Sequence, residues 1–195
     1  MATVLGWNLV TMPSFPPAPA SIEWQPHDTV AVSTNPFTGQ QQTYDWQAGW
    51  LEASLSYQPM NNAQAVQWCA FLMGLNGTAN VFQWGDPLNT GPQNPNAVAP
   101  SVHGGNQTGY VLSTFGGNGL LPGDWIQIGY RLHRITSVSG GSLGIWPQLR
   151  ESPADGSPIV ITNTQGLWRL KSNDRKWSVK STKMYGFTFE IREAL

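Results

Sequence analysis

Tyr185-Gly186-Phe187-Thr188-Phe189-Glu190-Ile191 carries a large apolar side chain at every second position, the pattern of a strand with one buried face. That face is too apolar to belong to a solvated tail. Its best match is the long segment Tyr44–Tyr57, where Tyr44, Trp46 and Ala48 alternate on one face before Leu51, Ala53, Leu55 and Tyr57 alternate in the opposite phase. The switch falls at Gly49-Trp50 and predicts a β-bulge. Ile22–Thr34 reads as a second long strand, joined to the first through a polar turn containing Pro36, Gly39 and three glutamines. Pairing of the closing strand with Tyr44–Tyr57 makes residues 21–100 and 172–195 one discontinuous domain, with residues 101–171 inserted into it.

Between these strands the residues predict one helix, at about 62–75. Asn61 or Asn62 can cap it and Gln64 stands where a capping box needs an amide. Ala65, Trp68, Cys69, Leu72 and Leu75 share a face at helical spacing, and Asn76-Gly77 suits a left-handed stop. Val81–Trp84 follows as a short strand. Residues 85–108 are dense in Pro, Asn and Gly without apolar period, and read as a long crossing segment. Beyond them come short strands between glycine turns: Tyr110–Thr114, Trp125–Tyr130, Arg131–Val138, Leu143–Leu149, Ile159–Thr162 and Gly166–Lys171. That spacing predicts a small β-barrel over 101–171. Residues 1–20, with one possible strand and prolines from 13 to 19, read as an N-terminal arm that either reaches a neighbour or docks locally. The chain is thus expected to be mainly β.

Charged residues make up only 11% of the 195, against roughly 25% in an ordinary soluble domain. Ten tryptophans and 36 Gly and Pro residues accompany them. A surface so poor in ions points to a protein covered by partners, the alternative being a secreted all-β domain, where low charge and many turn residues are also common. Charge is also divided along the chain. Residues 1–130 hold six acidic side chains and no basic one, whereas residues 131–195 hold ten basic and five acidic. Complementary potentials of this kind can steer one copy onto another, unless the fold interleaves the halves; Lys176, Lys180, Lys183 and Arg192 would carry some of the positive charge back into the first domain.

Cys69 is the only cysteine, which excludes an internal disulfide and suits a reducing compartment. The first residues lack a basic n-region and Met12–Pro17 interrupts any apolar run, so no export signal is expected. No stretch approaches the ~20 apolar residues of a membrane helix.

Few residues suggest chemistry. His27, His103 and His133 are far apart and no Cys-x-x-Cys or His-x-x-x-His exists, which argues against a metal site. A P-loop before residue 171 is impossible without a lysine, and no Gly-x-Ser-x-Gly elbow is present. Asp45, Glu52 and Asp86 supply candidate carboxylate pairs for glycoside hydrolysis. Trp24, Trp46, Trp50, Trp125 and Trp146 could stack on sugars, but they fall in phase with apolar neighbours and read as packing. Arg169, Lys171, Arg175, Lys176, Lys180 and Lys183 alternate with Trp168, Trp177 and Tyr185, a pattern that single-strand binders share with any solvated strand face. No nucleic-acid motif accompanies it, so no sequence-specific nucleic acid is expected. Catalytic, cofactor-binding and metal residues are expected to be none, and the chain is not expected to be an enzyme.

One distributed pattern carries a family signal. Trp24, Asn35-Pro36-Phe37-Thr38-Gly39-Gln40-Gln41-Gln42, Trp50-Leu51-Glu52-Ala53, Ala70-Phe71-Leu72 and Trp84-Gly85-Asp86-Pro87 resemble structural tail proteins of tailed bacteriophages. Gln107-Thr108-Gly109, Leu121-Pro122-Gly123-Asp124, Arg131-Leu132 and Gly186-Phe187-Thr188-Phe189-Glu190 agree, so the resemblance spans most of residues 21–195. It implies a distal tail or tail-tip protein: a β-sandwich with one flanking helix, stacked in a homo-oligomeric ring, possibly a hexamer. Such a ring joins the tail tube to hub or fibre proteins in the virion and assembles in the host cytoplasm. The inserted barrel would then face outward to hold fibres. An alternative of another class is a carbohydrate-binding module of the tail, with Trp125 or Trp146 stacking on host polysaccharide; a wall-degrading enzyme is the third.

Overall fold

Residues 2–195 are described by a computed structural model and form sixteen strands and one helix. β1 (Ala2–Val4) and β2 (Trp7–Leu9) make a short hairpin, turned by Leu5 and Gly6 in the left-handed region. β3 (Ser21–His27) runs on through Asp28-Thr29 into β4 (Val30–Thr34). β5 (Gln41–Asp45) returns and leads through Trp46–Gly49 into β6 (Trp50–Ser56). The two expected long strands are therefore one two-stranded ribbon cut in the middle.

The cut replaces the expected bulge. Four residues, Trp46–Gly49, stand opposite two, Asp28 and Thr29, so two residues are extra where a simple bulge has one. Gln47 takes a left-handed backbone (φ 50°), and its N–H donates to Asp45 Oδ1 at 2.8 Å. Ala48 N–H donates to Thr29 Oγ1. Gly49 is required at the bend, because a Cβ there would lie 3.0 Å from the His27 carbonyl oxygen and 3.3 Å from the Trp146 ring.

α1 (Asn62–Gly74) begins with the predicted capping box: Asn61 Oδ1 accepts from Gln64 N–H and Gln64 Oε1 accepts from Asn61 N–H. Ala65, Trp68, Phe71 and Leu72 form its buried face, and the chain turns away at left-handed Asn76 and Gly77. β7 (Phe82–Trp84) follows. Residues 85–100 then cross without regular strands, held by Asp86 (which accepts from Leu88 N–H and Asn89) and by Gln93, whose backbone N–H donates to Asp124 at 2.9 Å.

β8 (Ser101–Val102), β9 (Gly109–Phe115), β10 (Trp125–Ile128), β11 (Arg131–Ser139), β12 (Ser142–Leu149) and β13 (Ile159–Val160) form a six-stranded antiparallel sheet in the order β13-β10-β11-β12-β9-β8. Its two ends approach each other: Ser101 bridges Pro158, and Val102 N–H donates to the Ser157 carbonyl at 2.9 Å. The sheet is a nearly closed barrel. Its interior holds Leu112, Ile126, Ile135, Ile145 and Ile159.

β14 (Gly166–Leu170), β15 (Trp177–Val179) and β16 (Tyr185–Glu193) complete a six-stranded antiparallel sheet, ordered β3-β6-β16-β14-β7 with β15 beside the first half of β16. The closing strand lies against β6, with Phe189 opposite Leu55 and Ile191 opposite Ala53. Gly166–Leu170, counted with the barrel from its spacing, lies in this second sheet between β16 and β7. Gly166, Leu167, Trp168 and Leu170 are all buried, as a central strand demands, and so short a segment, broken by Arg169, does not reveal which sheet it enters.

α1 covers this sheet through Trp68, Leu72 and Leu75, which share one core with Leu51, Leu55, Phe187 and Ile191. Trp24, Trp84, Trp125 and Trp168 meet where the two sheets adjoin, with ring centroids 5.2–5.9 Å apart for Trp24 and its three partners. Residues 2–20 dock on their own chain: Val10 N–H donates to the Val81 carbonyl, and the Phe15 carbonyl accepts from the Trp68 indole at 2.9 Å. Val4, Trp7 and Leu9 pack against Val81, Leu167 and Ala194. Of the two destinies expected for the arm, the chain takes the local one.

Candidate assembly surfaces

Among the described residues the fold joins the two halves of the divided charge at one place, Glu52, and leaves the rest apart. Glu52, from the acidic half, lies 2.9 Å from Lys171 Nζ, 3.0 Å from His27 Nε2 and 3.7 Å from Arg192 Nε. Burial alone would raise its carboxyl; the Trp50 indole N–H, Lys171 and His27 outweigh that and hold it below the usual range. Glu193 is buried between Arg131 and Arg150, at 3.8 and 3.6 Å. Burial pushes its carboxyl up despite the two guanidiniums. Arg134 lies over the Trp125 ring, Arg169 over Trp7 and Arg192 over Trp50. Arg175 donates to the Leu72 and Met73 carbonyls at the end of α1.

The carboxylates weighed for hydrolysis are occupied separately. Glu52 is tied into its ion-pair cluster, Asp86 stabilises a turn with Leu88 and Asn89, and Asp45 accepts from Tyr110 Oη at 3.1 Å. His133 is buried, bonds through Nδ1 to the Pro147 carbonyl at 2.7 Å, and is pushed down to about 4 by burial and by Arg131 and Arg150. His27 stacks on Trp50, and exposed His103 lies near Phe115. Among the described residues no three His, Cys, Asp or Glu side chains gather into a metal-binding group. Cys69 is half-buried on α1, and burial raises its thiol.

Trp125 and Trp146 lie as the packing reading expects. Trp125, weighed as a platform for sugar, is 4% exposed and lies under the Arg134 guanidinium. Trp146 is half-buried with its indole N–H on Asp28 Oδ1 at 2.8 Å. The one exposed indole among the described residues is Trp46, at 63%, set edge-on to Tyr44.

That indole opens onto the feature that periodicity does not reveal. Every residue of β4 and β5 is exposed. Val30 and Val32 project from one face of this hairpin, Tyr44 and Trp46 from the other. Phe37 stands at its tip, 95% exposed. The tip is ordered by Asn35 Oδ1, which accepts from Phe37 N–H at 2.9 Å, and by Gly39 N–H on the Asn35 carbonyl. The base is pinned to the barrel-like sheet through Asp45–Tyr110, Asp28–Trp146, Gln148 on the Gln47 carbonyl and Arg150 on the Gly49 carbonyl. A rigid base thus carries a bare two-stranded projection with exposed Val, Phe, Tyr and Trp side chains, a structure marginal in water unless something packs on it. Its outer edges have unpaired backbone groups and no lysine to blunt them.

α1 presents the second unusual surface. The helix has no charged residue, and opposite its buried face Ala63, Val66, Ala70 and Met73 are exposed at three- and four-residue spacing. A helix apolar on both sides is normally covered on both.

No protein-family model matches the chain, and no curated protein matches it.

Proposed function

We propose that this chain is a structural subunit of a bacteriophage tail, a distal tail or tail-tip component that forms a homo-oligomeric ring joining the tail tube to hub or fibre proteins. The observation that carries the reading is the hairpin β4–β5, held stiffly at its base and bare along its whole length. Sparse surface charge, an uncharged helix with an exposed apolar stripe and the resemblance of the Asn35–Gln42, Trp50–Ala53 and Trp84–Pro87 segments to tail proteins support it. On this reading the sheet that α1 covers is one layer of a β-sandwich that builds the ring, and the barrel-like sheet faces outward as an inserted module. Heterologous contacts between copies close into a ring when the rotation between them closes.

Mass measurement of the purified chain at micromolar concentration, alone and with tail-tube and hub proteins, tests the proposal. Closed oligomers are expected, and immunogold label on the distal end of the tail. A chain that stays monomeric in every mixture overturns it. The glycan-binding alternative loses its first platform, since Trp125 is covered.

A further inference from the structure

Resting on that reading of self-assembly, we infer that the hairpin β4–β5 of one copy seats on the outward stripe of α1, Ala63, Val66, Ala70 and Met73, of the next copy. Beyond Asp28 and Asp45 at its base the hairpin bears no charge; it and the stripe of α1 both expose apolar side chains on the same chain, so neither covers the other within it. Each therefore needs an occupant, and each has the chemistry of the other: aromatic and branched side chains on the hairpin, small side chains and a flexible methionine on the helix. Small residues let a ribbon approach the helix backbone closely, and methionine repacks around aromatic rings.

Charge fixes the pairing. The base of the hairpin carries Asp28 and Asp45, and no basic residue precedes Arg131. The stripe of α1 is framed by bases at both ends. Arg175 caps the last turn, with Lys176 beside it. At the other end Met60 bridges Tyr185, which brings the Lys180–Lys183 turn next to the start of the helix. Among the described residues Lys176, Lys180 and Lys183 make no ion pair; the chain's internal pairs use Lys171, Arg131, Arg150, Arg192 and His27. A hairpin acidic at its base meets a helix stripe with lysines near both ends, an arrangement that favours the neighbour over a like-on-like contact between two hairpins. The contact is heterologous, the kind a ring requires.

The test uses the full chain with two pairs of exposed substitutions, Val32→Lys with Tyr44→Lys on the hairpin and Val66→Lys with Met73→Lys on the helix. Thermal melts confirm that both fold. Wild type is expected to assemble, and each variant alone to sediment as a monomer with affinity weakened at least roughly tenfold. An equimolar mixture of the two is expected to give dimers and nothing larger, because one hairpin and one helix stripe remain intact. In a Cys69→Ala background, copies with Val32→Cys are expected to form disulfides with copies bearing Met73→Cys, not with each other. If the helix variant assembles like wild type, the mixture stays monomeric, or hairpin–hairpin disulfides dominate, the inference falls while ring formation stands. If wild type itself never assembles, both fall together.

Discussion

The ribbon β3–β4/β5–β6 is a single antiparallel structure with two fates. In its first half Ile22 and Trp24 face Leu55 and Ala53 under α1 and the tryptophan cluster; in its second half Val30 and Val32 face Asp45 and Thr43 under nothing. The alternation of apolar residues is similar in both. What differs is the cover, which the chain supplies for one half and leaves open for the other. Periodicity specifies that a face is to be buried, and says nothing about whether the same chain does the burying.

The largest effect is expected where cover is removed from the buried half. Trp68 is 0% exposed, packs on Tyr57, Phe71, Phe187 and Phe189, and donates its indole N–H to the Phe15 carbonyl. Trp68→Ala should cost about 3–5 kcal/mol of stability, from lost transfer energy and the cavity left behind. Urea unfolding measures it; a loss under about 1 kcal/mol would mean that α1 is not the cover that distinguishes the two halves.

Acid should weaken the junction where the ribbon bends. Trp146 and Gln148 of β12 and Arg150 just beyond it hold the bend, and His133 bonds to Pro147 of the same strand. With a folded pKa of about 4 against 6.5 for the free side chain, the unfolded chain takes up the proton first as pH falls. The contribution of neutral His133 is therefore complete above pH 6.5 and disappears as pH falls toward 4, by about 3 kcal/mol at most. The buried carboxyl of Glu193 has the opposite dependence, its raised pKa favouring the folded state at low pH. Comparison of wild type with His133→Gln isolates the histidine. Parallel stability–pH curves for the two would refute the assignment.

How much of this was legible depended on what decided each element. α1 was readable to its cap because the Asn61–Gln64 signal and the apolar stripe are local. Pairing of β16 with β6 followed from matched length and phase. The spacing of Gly166–Leu170 groups it with the barrel, whereas it lies between β16 and β7, because a short, mostly buried strand reads the same in either sheet. The bend at Gly49 looked like a bulge because a change of phase does not count the residues that cause it. The bareness of β4–β5 left only indirect traces, a scarcity of charge and three consecutive glutamines. Exposure is set by what the rest of the chain fails to reach, and no local pattern encodes that.

A smaller effect sharpens the role of the helix as cover. Asn61→Ala removes the acceptor for Gln64 N–H and half of the capping box. The expected cost is about 1 kcal/mol, seen as a lower urea midpoint with an unchanged slope. An effect as large as that of Trp68→Ala would show that the loop before α1, rather than the packing of the helix, secures the covered half.

The smallest effect on folding belongs to the bare half, and it is the most discriminating. Val32→Thr with Tyr44→Thr places β-branched side chains on both strands and removes apolar surface whose one ring contact within the chain is Tyr44 on Trp46 of the same hairpin. Stability at sub-micromolar concentration should change by less than about 0.5 kcal/mol. At high concentration, wild type gains stability from association because partners bind only the folded form, and the double variant should lose that concentration-dependent gain. The two measurements separate local from intermolecular burial. A large loss at low concentration would show that the hairpin helps hold its own chain together; equal concentration dependence in both proteins would leave its apolar side chains without a role in assembly.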